Sequence, residues 1–179
     1  MGRKGYEMVE RRTAYEWEYY FISSGKKNVM KVIEFENVGE NEEEKLYNLG
    51  FGDYDFETTG YDDISKTGNN DGRMVFNTVL NAIQRFFDIN PTGILTVCGS
   101  DSRLKFKNYC QKSCNRKCGK ECKKFNQRIR IYRNYLNKHF KEFSNEYDFF
   151  GGYFNRLLRE PYTPGKSYDE IFIVKNNRS

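Results

Sequence analysis

The sequence predicts an α+β fold: an N-terminal antiparallel β-meander packed by two main helices, with a further strand between them and a closing C-terminal strand. Three observations predict it. Large rings recur at every second position in Tyr15, Trp17, Tyr19 and Phe21, the alternation of a half-buried strand. Apolar residues repeat at helical spacing in two later stretches, residues 76–87 and 125–143. Two short runs, Gly93 to Cys98 and Glu170 to Val174, have the length and composition of strands.

Each element follows in order. Residues 1–13 are polar and are expected to fray. The ring alternation, with Glu16 and Glu18 between the rings, ends at Ser23-Ser24-Gly25-Lys26-Lys27-Asn28, a turn composition, and Val29 to Phe35 alternates again as the hairpin partner. An acidic loop, Glu40 to Glu44, leads to a third strand from Leu46 to Phe51, which Gly50 and Gly52 are expected to break. The polar connection 53–72 ends at a helix that a side-chain oxygen of Asn70 or Asp71 would cap. Phe76, Val79, Leu80, Ile83 and Phe87 lay this helix on the sheet, and Asn90-Pro91 stops it. After the strand ending at Cys98, residues Arg103 to Glu142 read as mostly helical. The clearest part is the stripe Phe125, Ile129, Tyr132, Leu136, Phe140 and Phe143, opposite Arg128, Arg133, Lys138 and Lys141. Gly151-Gly152 interrupts the pattern.

The 179 residues suit one domain. No internal repeat and no linker rich in Pro, Gly or Ser divides them, so a polar segment 1–13 and one α+β domain over 14–179 are expected. Mean hydropathy is −0.88, and no apolar run approaches the roughly 18 residues of a membrane-spanning helix, so no membrane partner is expected. The start, MGRKGYEMVERR, lacks the apolar region of a secretory signal, which predicts a cytoplasmic protein. Thirty Lys and Arg against 25 Asp and Glu give a formal charge of +5, mildly basic overall. The distribution is far from even. Residues 34–71 hold 12 acidic and 2 basic side chains, and residues 103–142 hold 14 basic and 2 acidic ones. Such segments either dock on one another or present opposite poles to partners.

Several phrases together carry a resemblance: YYFISSGKKNVMKVIEF, YNLGFGDYD, GYDDISKTGNNDGRMVFNTVLNAIQRFFDINP, TVCGSDS, RIRIYRNYL and KSYDEIFIV. In this order they resemble a family of short bacterial proteins, frequent in Bacteroidetes, catalogued as a domain of unknown function. The resemblance spans most of residues 15–174. It implies a compact single-domain α+β protein and implies no activity. In the family, the glycine-serine turn runs almost directly into the arginine-rich helix matched by Arg128, Arg130, Tyr132 and Arg133. Here about 25 residues, roughly 103–127, intervene and carry all four clustered cysteines.

Those cysteines are Cys110, Cys114, Cys118 and Cys122, spaced C-x3-C-x3-C-x3-C. Four thiolates satisfy a closed structural zinc site. On one straight helix the outer pair would stand about 18 Å apart, so a single zinc requires the helix to break, for which Asn115 to Gly119 are suited. Disulfides, or reduced thiols packed along one helical stripe, are the other readings. Cys98, ending an apolar strand, reads as a small buried residue. Gly99 and Ser100 sit where a strand hands over to a helix, a place where backbone amides bind anions.

Arg128, Arg130 and Arg133 stand near Tyr132, with Lys123, Lys124 and Lys138 extending the patch. Arginine forks grip phosphate oxygens and rings stack on bases. Asp53, Asp55, Asp62, Asp63 and Asp71, with Asn69 and Asn70, are oxygen ligands for a divalent ion, without the spacing of a calcium loop. His139, the single histidine, flanks an apolar stripe, and no Walker loop or dinucleotide fingerprint is present. The function expected is a non-enzymatic protein whose basic region, about 103–142, contacts nucleic acid, with structural zinc as the one cofactor. One alternative is a protein-interaction or assembly module, of the kind used in phage–host conflict, in which that region meets an acidic partner or a second copy. Another is a metal-dependent, nuclease-like or toxin-like enzyme using the Asp53–Asp71 acids or the arginines.

Overall fold

Among the described residues of the first half, five strands follow one another: β1 (Val9–Arg12), β2 (Glu16–Ser23), β3 (Val29–Asn37), β4 (Leu46–Asp55) and β5 (Gly60–Asp62). Each pairs antiparallel with the next. The β2–β3 hairpin aligns Trp17 with Phe35, Tyr19 with Ile33 and Phe21 with Lys31. This register puts the alternating rings on one face, where Trp17, Tyr19, Phe21, Ile33, Phe35 and Leu49 are buried. Helix α1 (Gly72–Ile89) covers that face with Thr78, Ala82, Ile83, Phe86 and Phe87. Phe86 is the keystone of this core, with ring centroids 5.4 Å from Trp17, 4.9 Å from Phe35 and 5.0 Å from Tyr47. Phe76, Val79 and Leu80, expected on the inner stripe, are only half-buried.

The computed structural model describes residues 3–13, 16–39, 45–58, 60–62, 68–102, 106, 108, 110, 112, 118, 122, 125–154 and 156–176. The chain divides into two compact units, Met1–Gly93 and Ile94–Ser179. In the second, strands β6 (Ile94–Cys98), β7 (Tyr147–Tyr153), β8 (Arg156–Pro161) and β9 (Glu170–Lys175) pair antiparallel in the order β6-β9-β7-β8. One 3-10 turn, Ser100–Ser102, follows β6, and helix α2 (Gln127–Phe143) lies on the strands through Ile129, Leu136 and Phe143. Phe140 reaches Phe149 and Tyr162 at ring distances of 6.0 and 5.7 Å. The fold is thus α+β with an N-terminal antiparallel meander, two main helices, a strand between them and a closing strand.

Four local expectations are corrected. Residues 3–12 do not fray. Asn77 and Asn81 of α1 donate their side-chain amides to the carbonyls of Lys4 and Arg3, the Tyr6 amide donates to Thr78 Oγ1 at 2.8 Å, and residues 9–12 pair with β2. Asp71 is the residue before α1 but makes no side-chain cap, because its carboxylate already accepts two hydroxyls described below. Gly50 and Gly52 do not break β4, which runs through both to Asp55. Gly151 and Gly152 lie inside β7, where Gly151 makes room for the Tyr168 ring. The acidic loop 40–44 lies outside the described residues.

Candidate functional site

The site is built from the start of α2. Residue Asp101, in the turn after β6, is 5% exposed. Its Oδ2 accepts the Arg128 amide at 3.1 Å, and its carbonyl accepts the Asn126 amide at 3.3 Å. Asn126 adopts a left-handed conformation, φ 58°, which asparagine tolerates better than most residues. A helix N-terminus attracts anions through its unpaired amides, and at α2 the anion is the chain's own carboxylate. Burial pushes the Asp101 carboxyl up, and the Arg128 amide and guanidinium and the Gln127 amide pull against it without overcoming it. Among the described residues, Asp101 Oδ1 is buried with no hydrogen-bond partner. Gly99 is needed beside it, since a Cβ there would stand 2.5 Å from that oxygen. Ser100 is exposed on the same turn.

Helical geometry then sorts the predicted basic residues. At 100° per residue, Arg130, Asn134, Lys138 and Lys141 fall within a quarter turn, and all four are exposed. Arg128 points the opposite way and is half-buried. Arg133 is half-buried too, its Nη1 donating to the Tyr168 carbonyl at 3.1 Å, so it pins the connection between β8 and β9. Burial pushes the nearby Tyr162 phenol up to about 12, against the lowering field of Arg133. Tyr132 is half-buried, on the inner side of the helix. Lys123 and Lys124 lie outside the described residues. The structure therefore brings Arg130 and Lys138 together with Lys141, and separates them from Arg128, Tyr132 and Arg133.

Cys110 and Cys122 are buried, and their sulfurs stand 3.3 Å apart. Residues 106, 108, 110 and 112 are helical, whereas Cys118 and Cys122 are not. Cys118 is half-buried, and Cys114 lies outside the described residues. Among the described residues no third His, Cys, Asp or Glu joins the pair.

The acidic candidates have partners within the first unit. Asp53 is ion-paired with Lys31, whose ammonium is buried and lies over the Phe51 ring. Asp55 accepts the Glu57 amide and the Thr58 hydroxyl in its own turn. Asp71 Oδ2 accepts Ser23 Oγ at 2.6 Å and the Tyr6 hydroxyl at 2.8 Å, while Asn69 Nδ2 donates to Ser23 Oγ at 2.9 Å. The side chains of Asp62 and Asp63 lie outside the described residues. This polar cluster at the start of α1 escapes a sequence reading, because Tyr6, Ser23, Asn69 and Asp71 meet only through tertiary folding. His139 stacks between Tyr135 and Phe143, with Nδ1 3.4 Å from Glu142 Oε2. It has a packing role.

One family, described as "Family of unknown function (DUF6934)", matches residues 3–112. The chain belongs to that family. The DUF6934 match takes in the meander, α1, β6 and the first cysteine of the cluster; α2 and its basic stripe lie beyond it. No curated protein and no solved structure matches the chain significantly. Among the described residues no helix is long and apolar enough to cross a membrane.

Proposed function

We propose that the protein is a non-enzymatic, cytoplasmic binding protein that grips the phosphate backbone of nucleic acid with the outer face of α2. The observation that carries this reading is the stripe of Arg130, Asn134, Lys138 and Lys141, all exposed and within one quarter turn, with no acid among them. Such a row follows a phosphate backbone over about 16 Å of helix axis. Direct engagement of Asp53, Asp55 and Asp71 with other side chains supports binding rather than metal-dependent cleavage, since those oxygens are already accepting.

The test is binding to labelled single- and double-stranded RNA and DNA across a salt series. Wild type is compared with two charge-matched triple variants. Arg130→Glu/Lys138→Glu/Lys141→Glu and Lys26→Glu/Lys27→Glu/Arg73→Glu each take the formal charge from +5 to −1, two charges per reversal. All six side chains are exposed. The α2 triple is expected to abolish binding at low salt and the control to retain most of it, because close phosphate contacts outweigh net charge. Equal loss in both variants, or flat curves for wild type, sinks the reading. Retention on a polyglutamate column without nucleic-acid binding would assign the stripe to an acidic protein partner instead.

A further inference from the structure

Cys110 and Cys122 are 12 positions apart in the chain, and one straight helix would hold their sulfurs about 18 Å from each other. Folding brings those sulfurs to 3.3 Å, within a shared hydrogen bond. Both side chains are buried, at 5% and 9% exposure, whereas Cys98 and Cys118 are half-buried. A core position needs shape, which any small apolar side chain supplies; sulfur facing sulfur adds a reactivity that packing does not require. A disulfide needs sulfurs about 2.04 Å apart, a closure of about 1.3 Å from the observed separation.

The pair also has something firm to be tied to. Residues 106, 108, 110 and 112 are helical. The Cys122 carbonyl accepts the Phe125 amide at 3.0 Å, and the next amide, that of Asn126, donates to the Asp101 carbonyl. A covalent bond between the two sulfurs would therefore fasten the helical residues around Cys110 to the anchored start of α2.

We propose that Cys110 and Cys122 form a reversible redox site, oxidised to a disulfide by a hydroperoxide. Burial selects the reagent, because hydrogen peroxide reaches a nearly closed thiol more readily than a glutathione-sized disulfide does. The thiolate of one cysteine attacks a peroxide oxygen; the O–O bond breaks, hydroxide leaves and a sulfenic acid forms. The sulfur of the neighbouring thiol attacks the sulfenic sulfur, the S–O bond breaks, and water departs with that thiol's proton. Two thiols and one hydrogen peroxide thus become one disulfide and two waters, with the sulfurs supplying both electrons. A neighbour already in contact captures the sulfenic acid before a second peroxide carries it further. Exchange with an external dithiol restores the thiols, so in a reducing compartment the link is transient. This site stands apart from the proposed role of α2: it is read by mass spectrometry without nucleic acid, so either reading can fail alone.

The experiment uses the full chain, reduced in the presence of chelator, freed of reductant and titrated with hydrogen peroxide. Peptide mapping without reductant is expected to show Cys110 joined to Cys122, with the loss of two hydrogen atoms, and dithiothreitol should reverse it. Cys98→Ser and Cys118→Ser should still form the link. Cys110→Ser and Cys122→Ser should not, and a 1,3-diketone should trap about tenfold more sulfenic acid on the remaining thiol than in wild type. Because a cysteine variant can fail to fold, wild type is also alkylated under native conditions before and after peroxide; Cys110 and Cys122 should lose their labelling together. Oxidation of Cys98 or Cys118 while the pair stays reduced would overturn the site. So would disulfides joining Cys110 or Cys122 mainly to other cysteines, or as much trapped sulfenic acid in wild type as in the variants.

Discussion

Asp71 and Asp101 are both carboxylates at helix starts, and their surroundings drive them in opposite directions. Burial raises the Asp71 carboxyl, but the hydroxyls of Ser23 and Tyr6 and the field of Lys31 outweigh it and hold the group below its ordinary value. At Asp101 burial wins, and the carboxyl lies above its ordinary value. The linkage signs are therefore opposite. The contribution of Asp71 is fully present above the unfolded aspartate value, about 3.9, and is lost as pH falls through the lower folded value. That of Asp101 is present below about 3.9 and is lost as pH rises through the higher folded value. Denaturant midpoints measured from pH 2.5 to 7 are expected to show both. Asp71→Asn should remove part of the rise in stability on leaving acid, with a loss of about 1 to 2 kcal/mol at pH 7 from weaker acceptance of two hydroxyls. Asp101→Asn should steepen that rise, because the opposing slope is gone. Parallel profiles for the two variants would contradict these environments.

At the scale of elements, glycine has two different meanings in this chain. In β7 a Cβ on Gly151 would stand 2.1 Å from Cδ1 of Tyr168, a ring that is 1% exposed and cannot retreat. Gly151→Ala should cost about 2 to 3 kcal/mol through overpacking. Gly72, the first residue of α1, has nothing among the described residues within 4 Å of its added Cβ, so Gly72→Ala should be neutral or stabilise by up to about 0.5 kcal/mol. Thermal unfolding of the two variants beside wild type checks both signs. The same contrast explains what the sequence could reveal about the fold. β2, β3, α1 and α2 are legible because rings and aliphatics repeat at periods of 2 and 3.6. β7 is hidden because its Gly-Gly pair looks like a breaker, when Gly151 is the space for the ring of Tyr168, far along the chain. The N-terminal segment is hidden for another reason: asparagine amides and a threonine hydroxyl hold it, and these leave no hydrophobic period.

At the scale of the whole molecule, a formal charge of +5 conceals a strongly basic stretch. The sequence reading grouped Arg128, Arg130 and Arg133 around Tyr132, whereas the structure puts Arg130, Lys138 and Lys141 outward and half-buries Arg128 and Arg133. Periodicity could not foretell that Arg133 would hold the Tyr168 carbonyl, a partner 35 residues away, or that sulfurs about 18 Å apart on a straight helix would meet. Asp101 matters at this scale too. It bonds to Asn126 and Arg128, so the turn after β6 and the start of α2 are tied together at one point. Exchanging residues 104–124 for a four-residue Gly-Ser bridge should therefore shift Tm by less than about 5 °C, measured by circular dichroism; a molten or insoluble product would show that the excised residues hold the frame. The two bonds at Asp101 make this junction a socket. With both partners held by one aspartate, the end of β6 and the start of α2 are fastened across 25 residues of sequence.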